Sequence, residues 1–206
     1  MNTTYIKAVA PSSPSRSTAQ LMKTGQTTSY RTGDDGDLER GRNVSFTVLA
    51  ENNPFGNTNR FTDELGGQTY TNNIVIDWST YNGSTVLGWR RTASTVNINW
   101  NTAIDQCLTL SIGTFTSGWR LPNIMEYLSI FNYGASSNTF NYAPFNVNSV
   151  GNIGQLWTST TAIFNTGLAY TARPTAFDYT PLNKFDSSGY RYLPCRTFTV
   201  TGTTLS

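Results

Sequence analysis

Two short stretches with the apolar spacing of α-helices interrupt a chain whose other apolar segments are typical of β-strands. From Trp100 to Leu110, apolar residues recur at three- and four-residue intervals, which predicts an amphipathic helix that ends near Gly113. A second helix is predicted from Pro122, a residue suited to the first helical turn, to a stop at Gly134. Two short helices in a chain of 206 residues favour an α+β fold.

Composition favours β-structure and loops outside these helices. Charged residues are only 13% of the chain and aromatic residues also 13%, whereas Thr, Asn, Ser and Gly are abundant. This balance suits pleated sheets and turns rather than helices. The segments that alternate or run apolar at strand length predict strands at residues 44–49, 70–78, 85–89, 156–164, 168–172 and 190–200.

The first 22 residues differ from the rest of the chain. Between Pro11 and Thr18 they are rich in proline and hydroxyl residues, so they cannot assemble a core of their own. We therefore predict an extended N-terminal arm at residues 1–22, with a disordered tail as the alternative, and one domain at residues 23–206. The arm lacks the apolar segment of a secretory signal, and no apolar run reaches the roughly 20 residues that span a bilayer, so no membrane span is expected.

Several classes of function are disfavoured by what the chain lacks. It contains no histidine, so the commonest general base and metal ligand is missing, and we expect neither an enzyme nor a bound cofactor. The net charge is only +2 and no basic run is present, so nucleic-acid binding is not expected. Residues 34–39 form an acidic turn whose carboxylates could hold calcium, but a solvated turn with Asp side chains bonded to nearby N–H groups is the favoured interpretation.

Two segments, residues 138–148 and 175–192, mix aromatic residues with Asn, Asp, Pro and Gly and show neither a helix nor a strand period. Loops of this kind place ring faces beside short hydrogen-bonding side chains, as protein paratopes and carbohydrate sites do. The alternative is that the rings pack the loops onto the sheet or onto sister subunits. The candidate ligand-binding residues are Asn141, Tyr142, Asn146, Asp178, Tyr179, Lys184 and Tyr190.

An ordered set of motifs carries a family resemblance. A helix with Trp100 and Cys107, the turn Trp-Arg-Leu-Pro at 119–122, a second helix with Glu126, the strand Trp-Thr-Ser-Thr at 157–160, and Cys195 followed by arginine occur in the order found in the Lcl C-terminal domain family. The chain resembles that family over about residues 23–198.

The resemblance implies a C-type-lectin-like fold, with two helices flanking a twisted antiparallel sheet and long irregular loops. The family joins the positions of Cys107 and Cys195, which implies a disulfide here; two buried free thiols are the alternative.

These observations lead to an expected function. We expect a non-catalytic virion appendage or spike protein of a phage, exposed on the virion surface and attached to other virion subunits by the arm. It is expected to form homo-oligomers and to attach to a host cell-surface glycan or protein through its aromatic loops. The alternatives are a structural decoration or minor capsid protein without receptor binding, and a secreted bacterial adhesin at the cell surface.

Overall fold

A computed structural model of the protein describes residues 29–38, 46–49, 51–132, 144–145, 155–173 and 178–206. The predicted arm at residues 1–22 lies outside these ranges. The described part is an α+β structure with two helices of more than one turn, α2 and α3, and a single helical turn, α1. None of the described helices is long and apolar enough to cross a bilayer. The helices are α1 (Asp35–Leu38), α2 (Trp100–Leu108), α3 (Ile124–Ser129) and a 3-10 helix (Trp78–Thr80).

The strands of the described residues form two sheets rather than the single antiparallel sheet that was predicted. One sheet has five strands in the order β1-β2-β3-β8-β9, and each neighbouring pair is antiparallel. The other has four strands in the order β6-β5-β4-β7. The strands are β1 (Phe61–Thr62), β2 (Ile74–Asp77), β3 (Thr85–Arg90), β4 (Gln155–Thr161), β5 (Leu168–Arg173), β6 (Asp178–Asn183), β7 (Tyr190–Arg191), β8 (Cys195–Thr201) and β9 (Thr204–Leu205).

The four-stranded sheet is mixed because of the connection between β6 and β7. These two strands lie at opposite edges, so residues 184–189 cross the sheet before β7 begins. The crossing returns the chain to the end of the sheet where β4 starts, and Tyr190 pairs with Gln155 in a parallel register.

Local chemistry explains where the predicted strands were too long. The strand predicted at residues 70–78 begins only at Ile74, because Tyr70 (φ 55°) and Asn73 (φ 59°) adopt left-handed backbone conformations that end an extended segment. The strand predicted at 190–200 is divided into β7 and β8 by residues 192–194, where Pro194 has no N–H to donate to a ladder.

The strand predicted at residues 44–49 was wrong within its described part. Only residues 46–49 are described, and there Val48 makes an isolated antiparallel bridge with Asn59. Asn59 lies two residues before the start of β1. Because the bridge is isolated, residues 46–49 do not form a strand of the sheet.

The first predicted helix is confirmed but is shorter than its apolar stripe. The Asn99 side chain accepts a hydrogen bond from Thr102 N at 2.9 Å and caps the start of α2. The helix ends at Leu108, ahead of the predicted stop at Gly113. At that point the hydroxyl of Thr109 donates to the carbonyl of Asp105, and hydroxyls bonded in this way favour helix ends over helix interiors.

The second predicted helix is confirmed as α3, which begins at Ile124, two residues after the predicted start at Pro122. Asn123 caps α3 by accepting a hydrogen bond from Glu126 N, and the Glu126 carboxylate accepts one from Asn123 N in return. This reciprocal capping box fixes the first turn and keeps Glu126 directed back toward the segment that precedes the helix.

Strand β6 was not predicted, because residues 175–192 were assigned to an irregular loop. Among the described strands, β6 pairs with β5 and with no other, so it lies at the edge of the four-stranded sheet. Pro181 lies opposite Tyr170 in this pair. A proline is tolerated at an edge, where one side of the strand makes no ladder bonds.

Candidate functional site

The first predicted loop contributes one described ring, and that ring belongs to the core. Asn141, Tyr142 and Asn146 lie outside the described residues. Phe145 is 3% exposed and packs edge-on against Phe61 with ring centroids 5.6 Å apart. For Phe145, packing onto the sheet is therefore the correct interpretation, whereas the ligand-binding prediction for its three neighbours stays a prediction.

Tyr179 is presented to solvent on the edge strand. It is 54% exposed, and its ring packs edge-on against Tyr170 of the neighbouring strand with centroids 5.6 Å apart. Asp178 opens the same strand, but its side chain lies outside what the structure describes. The Tyr170–Tyr179 pair is thus an aromatic surface at the margin of the four-stranded sheet.

Lys184 holds the start of helix α2 against strand β4. Its Nζ donates to Thr161 Oγ1 at 2.9 Å and lies 4.1 Å from the centroid of the Trp100 ring. The indole Nε1 of Trp100 donates to the Thr158 carbonyl at 2.7 Å, and Trp100 N donates to the Lys184 carbonyl. The ammonium group is therefore engaged within the domain, and a structural role accounts for these contacts.

Tyr190 is fixed at the opposite edge of the sheet. Its ring lies 5.1 Å from the Trp157 ring, and its hydroxyl donates to Asp186 Oδ2 at 3.4 Å. Burial, followed by the charge of Asp186, raises the pKa of Tyr190. A hydrogen bond from Ser188 N, reinforced by the Ser188 hydroxyl, lowers the pKa of Asp186. The crossing segment is thus an ordered turn with a hydrogen-bonded carboxylate.

The structure does not gather the predicted residues of the second segment into one pocket. Tyr179 lies near the start of β6, Lys184 lies just past its end, and Tyr190 lies across the sheet on β7. An extended strand rises about 3.3 Å per residue, so the first two are up to about 16 Å apart.

Phe185 was not singled out from the sequence, although it is 75% exposed directly after Lys184. The sequence could have indicated the exposure of Phe185, because this large apolar residue lies inside the turn sequence Asn-Lys-Phe-Asp-Ser-Ser at 183–188. We call Tyr170, Tyr179 and Phe185 the β6 edge surface.

The acidic turn is well bonded within the protein. Asp34 Oδ2 accepts from Tyr30 N at 2.7 Å and from Arg31 N at 3.1 Å, and Asp34 Oδ1 accepts from Asp37 N. Asp37 Oδ2 accepts from Gly33 N. The bond from Tyr30 N is the main cause that lowers the pKa of Asp34. For Asp34 and Asp37 the structure has the N–H-bonded turn that was favoured over a calcium loop.

No metal centre is found in the part of the chain that the structure describes, where no three His, Cys, Asp or Glu residues are grouped closely enough to hold an ion. The side chains of Asp35 and Glu39 lie outside that part.

The two cysteines are free thiols in the structure, and both are completely buried. Burial raises the pKa of the Cys107 thiol to about 12 and likewise raises the pKa of the Cys195 thiol. A negative charge on Cys107 would raise the pKa of Cys195 further. The predicted disulfide is not formed in this structure and stays a prediction.

Comparison with known proteins identifies the family. The sequence model of the Lcl C-terminal domain matches residues 79–195, which is more than half of the chain. The match spans strands β3 to β7 and both helices α2 and α3, whereas the upstream likeness at residues 23–78 lies outside it. Searches of curated proteins and of solved structures gave no significant match. The chain belongs to the Lcl C-terminal domain family.

Proposed function

We propose that this protein is a non-catalytic binding module with a C-type-lectin-like fold, exposed on the surface of a phage virion as part of an appendage or spike. Its task is attachment to a host cell-surface glycan or protein, and the β6 edge surface makes the contact. The arm at residues 1–22 attaches the module to other virion subunits. Family membership, with α2 and α3 set against the sheets, supports the lectin-like fold.

The exposure of aromatic rings along one sheet edge carries the proposal. Tyr179 is 54% exposed and Phe185 is 75% exposed. Six positions separate them, so an extended chain places them up to about 20 Å apart. Rings spaced in this way suit an elongated ligand, such as an oligosaccharide or an extended protein loop. Ring faces pack on apolar surfaces of the ligand, while neighbouring amide and hydroxyl side chains such as Asn183 and Ser187 bond its polar groups.

Binding of the purified protein to intact candidate host cells tests the proposal. Replacing Tyr179 and Phe185 together by Ala should weaken binding about tenfold or more, because Tyr is enriched among the contact residues whose loss costs about 2 kcal/mol or more, and a tenfold change in affinity corresponds to about 1.4 kcal/mol. Leu65→Ala is the matched control, since Leu65 is 79% exposed and lies beside the five-stranded sheet. Unchanged binding by the double variant would count against the β6 edge surface.

A parallel variant tests the first predicted loop. Tyr142→Ala should weaken binding if that loop contributes to the contact, and its effect is measured in the same cell-binding assay. Loss with Tyr142→Ala, but not with the β6 edge variant, would move the contact to residues 138–148.

A structural decoration protein is the second candidate function, and one observation favours it. Ile163 is 96% exposed and Phe164 is 67% exposed. Large apolar side chains held in water at adjacent positions are typical of surfaces that become covered by another subunit.

A further inference from the structure

The turn that leads into strand β3 contains Asn82-Gly83, the only Asn-Gly sequence in the chain. Both residues are exposed. Gly83 has a left-handed backbone (φ 97°), and a Cβ atom placed on it would meet no atom within 4 Å beyond its chain neighbours. Among the described residues, none accepts a hydrogen bond from Gly83 N. The backbone nitrogen of Gly83 is therefore neither shielded by a side chain nor held by a hydrogen bond.

The same turn fixes the side chain of Asn82. Its Oδ1 accepts hydrogen bonds from Ser84 N at 3.1 Å, from Ser84 Oγ at 3.1 Å and from Thr85 N at 2.8 Å. Its Nδ2 donates to Thr85 Oγ1 at 2.8 Å. Donors that converge on a carbonyl oxygen stabilise the negative charge that develops there when a nucleophile attacks the carbonyl carbon. The turn thus polarises the Asn82 amide at Cγ.

We infer that Asn82 is a site of spontaneous deamidation in the folded protein and that the turn promotes the reaction. Gly83 N loses its proton and forms a bond to Asn82 Cγ, the Cγ–Nδ2 bond breaks, and the NH2 group leaves with a proton as ammonia. Water then opens the resulting succinimide at one of its two carbonyls, which gives aspartate or isoaspartate at this position. Glycine permits the backbone rotation that ring closure needs. The inference does not depend on receptor binding.

The turn suits the aspartate product better than the isoaspartate product. The donors to Asn82 Oδ1 would donate to a carboxylate as well, and hydrogen bonds to a charged acceptor are stronger. The Thr85 hydroxyl, which accepts from Nδ2, can rotate and donate instead. Isoaspartate lengthens the backbone, which disturbs the bond from Asn82 N to the Thr85 carbonyl and the bond from Val200 N to the Ser84 carbonyl. Isoaspartate should therefore loosen the pairing of β3 with β8.

Incubation of the full chain at mildly alkaline pH, followed by proteolysis and mass spectrometry, tests the inference. Asn82 is expected to be converted before any other asparagine. Asn82→Gln should abolish the conversion at this position, because a glutamine side chain would have to close a larger ring. A folded protein in which Asn82 stays intact, while urea-unfolded protein is converted there, would overturn the inference.

A variant of the turn tests whether its hydrogen bonds promote the reaction. Ser84→Ala removes the hydroxyl donor to Asn82 Oδ1 and should slow the conversion severalfold. Ser188→Ala is the matched control, since Ser188 donates to Asp186 Oδ1 through its N–H and its hydroxyl in the same way and lies in a different turn. An equal rate in Ser84→Ala and in the control would overturn the part given to the turn.

Urea unfolding tests how the turn receives the product. Asn82→Asp should unfold at the same urea concentration as the wild type or at a higher one, because the carboxylate keeps all three donors bonded. Asn82→Ala should unfold at a lower concentration, because these donors lose their acceptor. An aspartate variant that is as unstable as the alanine variant would show that the turn does not hold the product.

Discussion

The two sheets differ in the burial of particular charged and large apolar side chains. At the five-stranded sheet, Arg60 and Asp77 form a bidentate ion pair of 2.8 and 2.7 Å with no solvent exposure. At the four-stranded sheet, the large apolar residues Ile163 and Phe185 are 96% and 75% exposed. The Arg60–Asp77 pair is thus satisfied inside the domain at the first sheet, whereas Ile163 and Phe185 are exposed to solvent at the second. We therefore expect the buried pair to contribute more to stability than the exposed residues of the second sheet, where the proposed recognition surface lies.

The largest expected effect comes from breaking the buried ion pair. Asp77→Asn leaves the Arg60 guanidinium buried without its counter-charge, which should cost about 3–5 kcal/mol of folding free energy, measured by urea unfolding. Replacing Arg60 by Met and Asp77 by Leu together is the matched control, because an apolar pair leaves no uncompensated charge and should cost less. A loss below about 1 kcal/mol in Asp77→Asn would remove the basis for placing stability in this sheet.

The sequence could predict the features that depend on local spacing. The helices α2 and α3 follow from apolar residues at three- and four-residue intervals. The strand β3 at Thr85–Arg90 was predicted at residues 85–89, where Val86, Leu87 and Trp89 are apolar. These signals are contained within about ten residues, so no knowledge of the tertiary structure was needed to detect them.

The sequence could not predict features that arise from pairing between distant segments. Arg60 meets Asp77 because β1 pairs with β2 in a register that places Phe61 opposite Asp77. The exposure of Ile163 was not predicted, because a strand was predicted at residues 156–164. The turn before β5 is defined only when β4 and β5 have paired. Of the candidate site, the sequence located the aromatic segment that contains Tyr179, but not its division between two sheet edges.

A disulfide would couple helix α2 to strand β8 and so connect the two regions. Cys107 and Cys195 are separated by 88 positions, and closing so long a loop stabilises a fold by up to about 4 kcal/mol in the chain-entropy model. We expect oxidised protein to unfold at a higher denaturant concentration than reduced protein. The variant Cys107→Ser should show no such difference.

Thiol titration gives the independent readout for this bridge. In the reduced native protein both thiols should resist alkylation at neutral pH, because burial raises the pKa of each. Protein purified under oxidising conditions that still has two titratable thiols after denaturation would show that the bridge does not form.

Asp63 should contribute a smaller, pH-dependent stabilisation beside the five-stranded sheet. Its carboxylate accepts hydrogen bonds from Leu65 N, Gly67 N, Thr69 N and Tyr70 N. Burial alone would raise the pKa of Asp63, but these bonds outweigh it and lower the pKa below its usual value. Asp63→Asn, which exchanges one acceptor oxygen for a donor, should cost about 2 kcal/mol at neutral pH.

The sign of the pH dependence follows from the lowered pKa of Asp63. The stabilisation is fully present above the unfolded-state pKa of about 3.9 and is lost as the pH falls through the lower folded-state pKa. Thermal unfolding between neutral and acidic pH should therefore show a smaller acid-induced decrease in Tm for Asp63→Asn than for the wild type. Parallel curves for the two proteins would contradict the role given to this carboxylate.

The smallest expected effect concerns the second Arg–carboxylate pair, Arg120–Glu126, whose side chains are 40% and 20% exposed. Burial would raise the pKa of Glu126, but hydrogen bonds from Arg120 and Asn123 lower it, so this stabilisation too is lost on acidification. Glu126→Gln keeps an acceptor for Asn123 N, because Gln also completes a capping box, and so removes mainly the ion pair. The cost should be about 1 kcal/mol and should shrink in high salt, measured by urea unfolding, since a partly solvated pair gains little Coulomb energy. The two pairs share their chemistry and differ in burial, so a loss as large as that of Asp77→Asn would mean that burial does not set the cost of breaking an Arg–carboxylate pair.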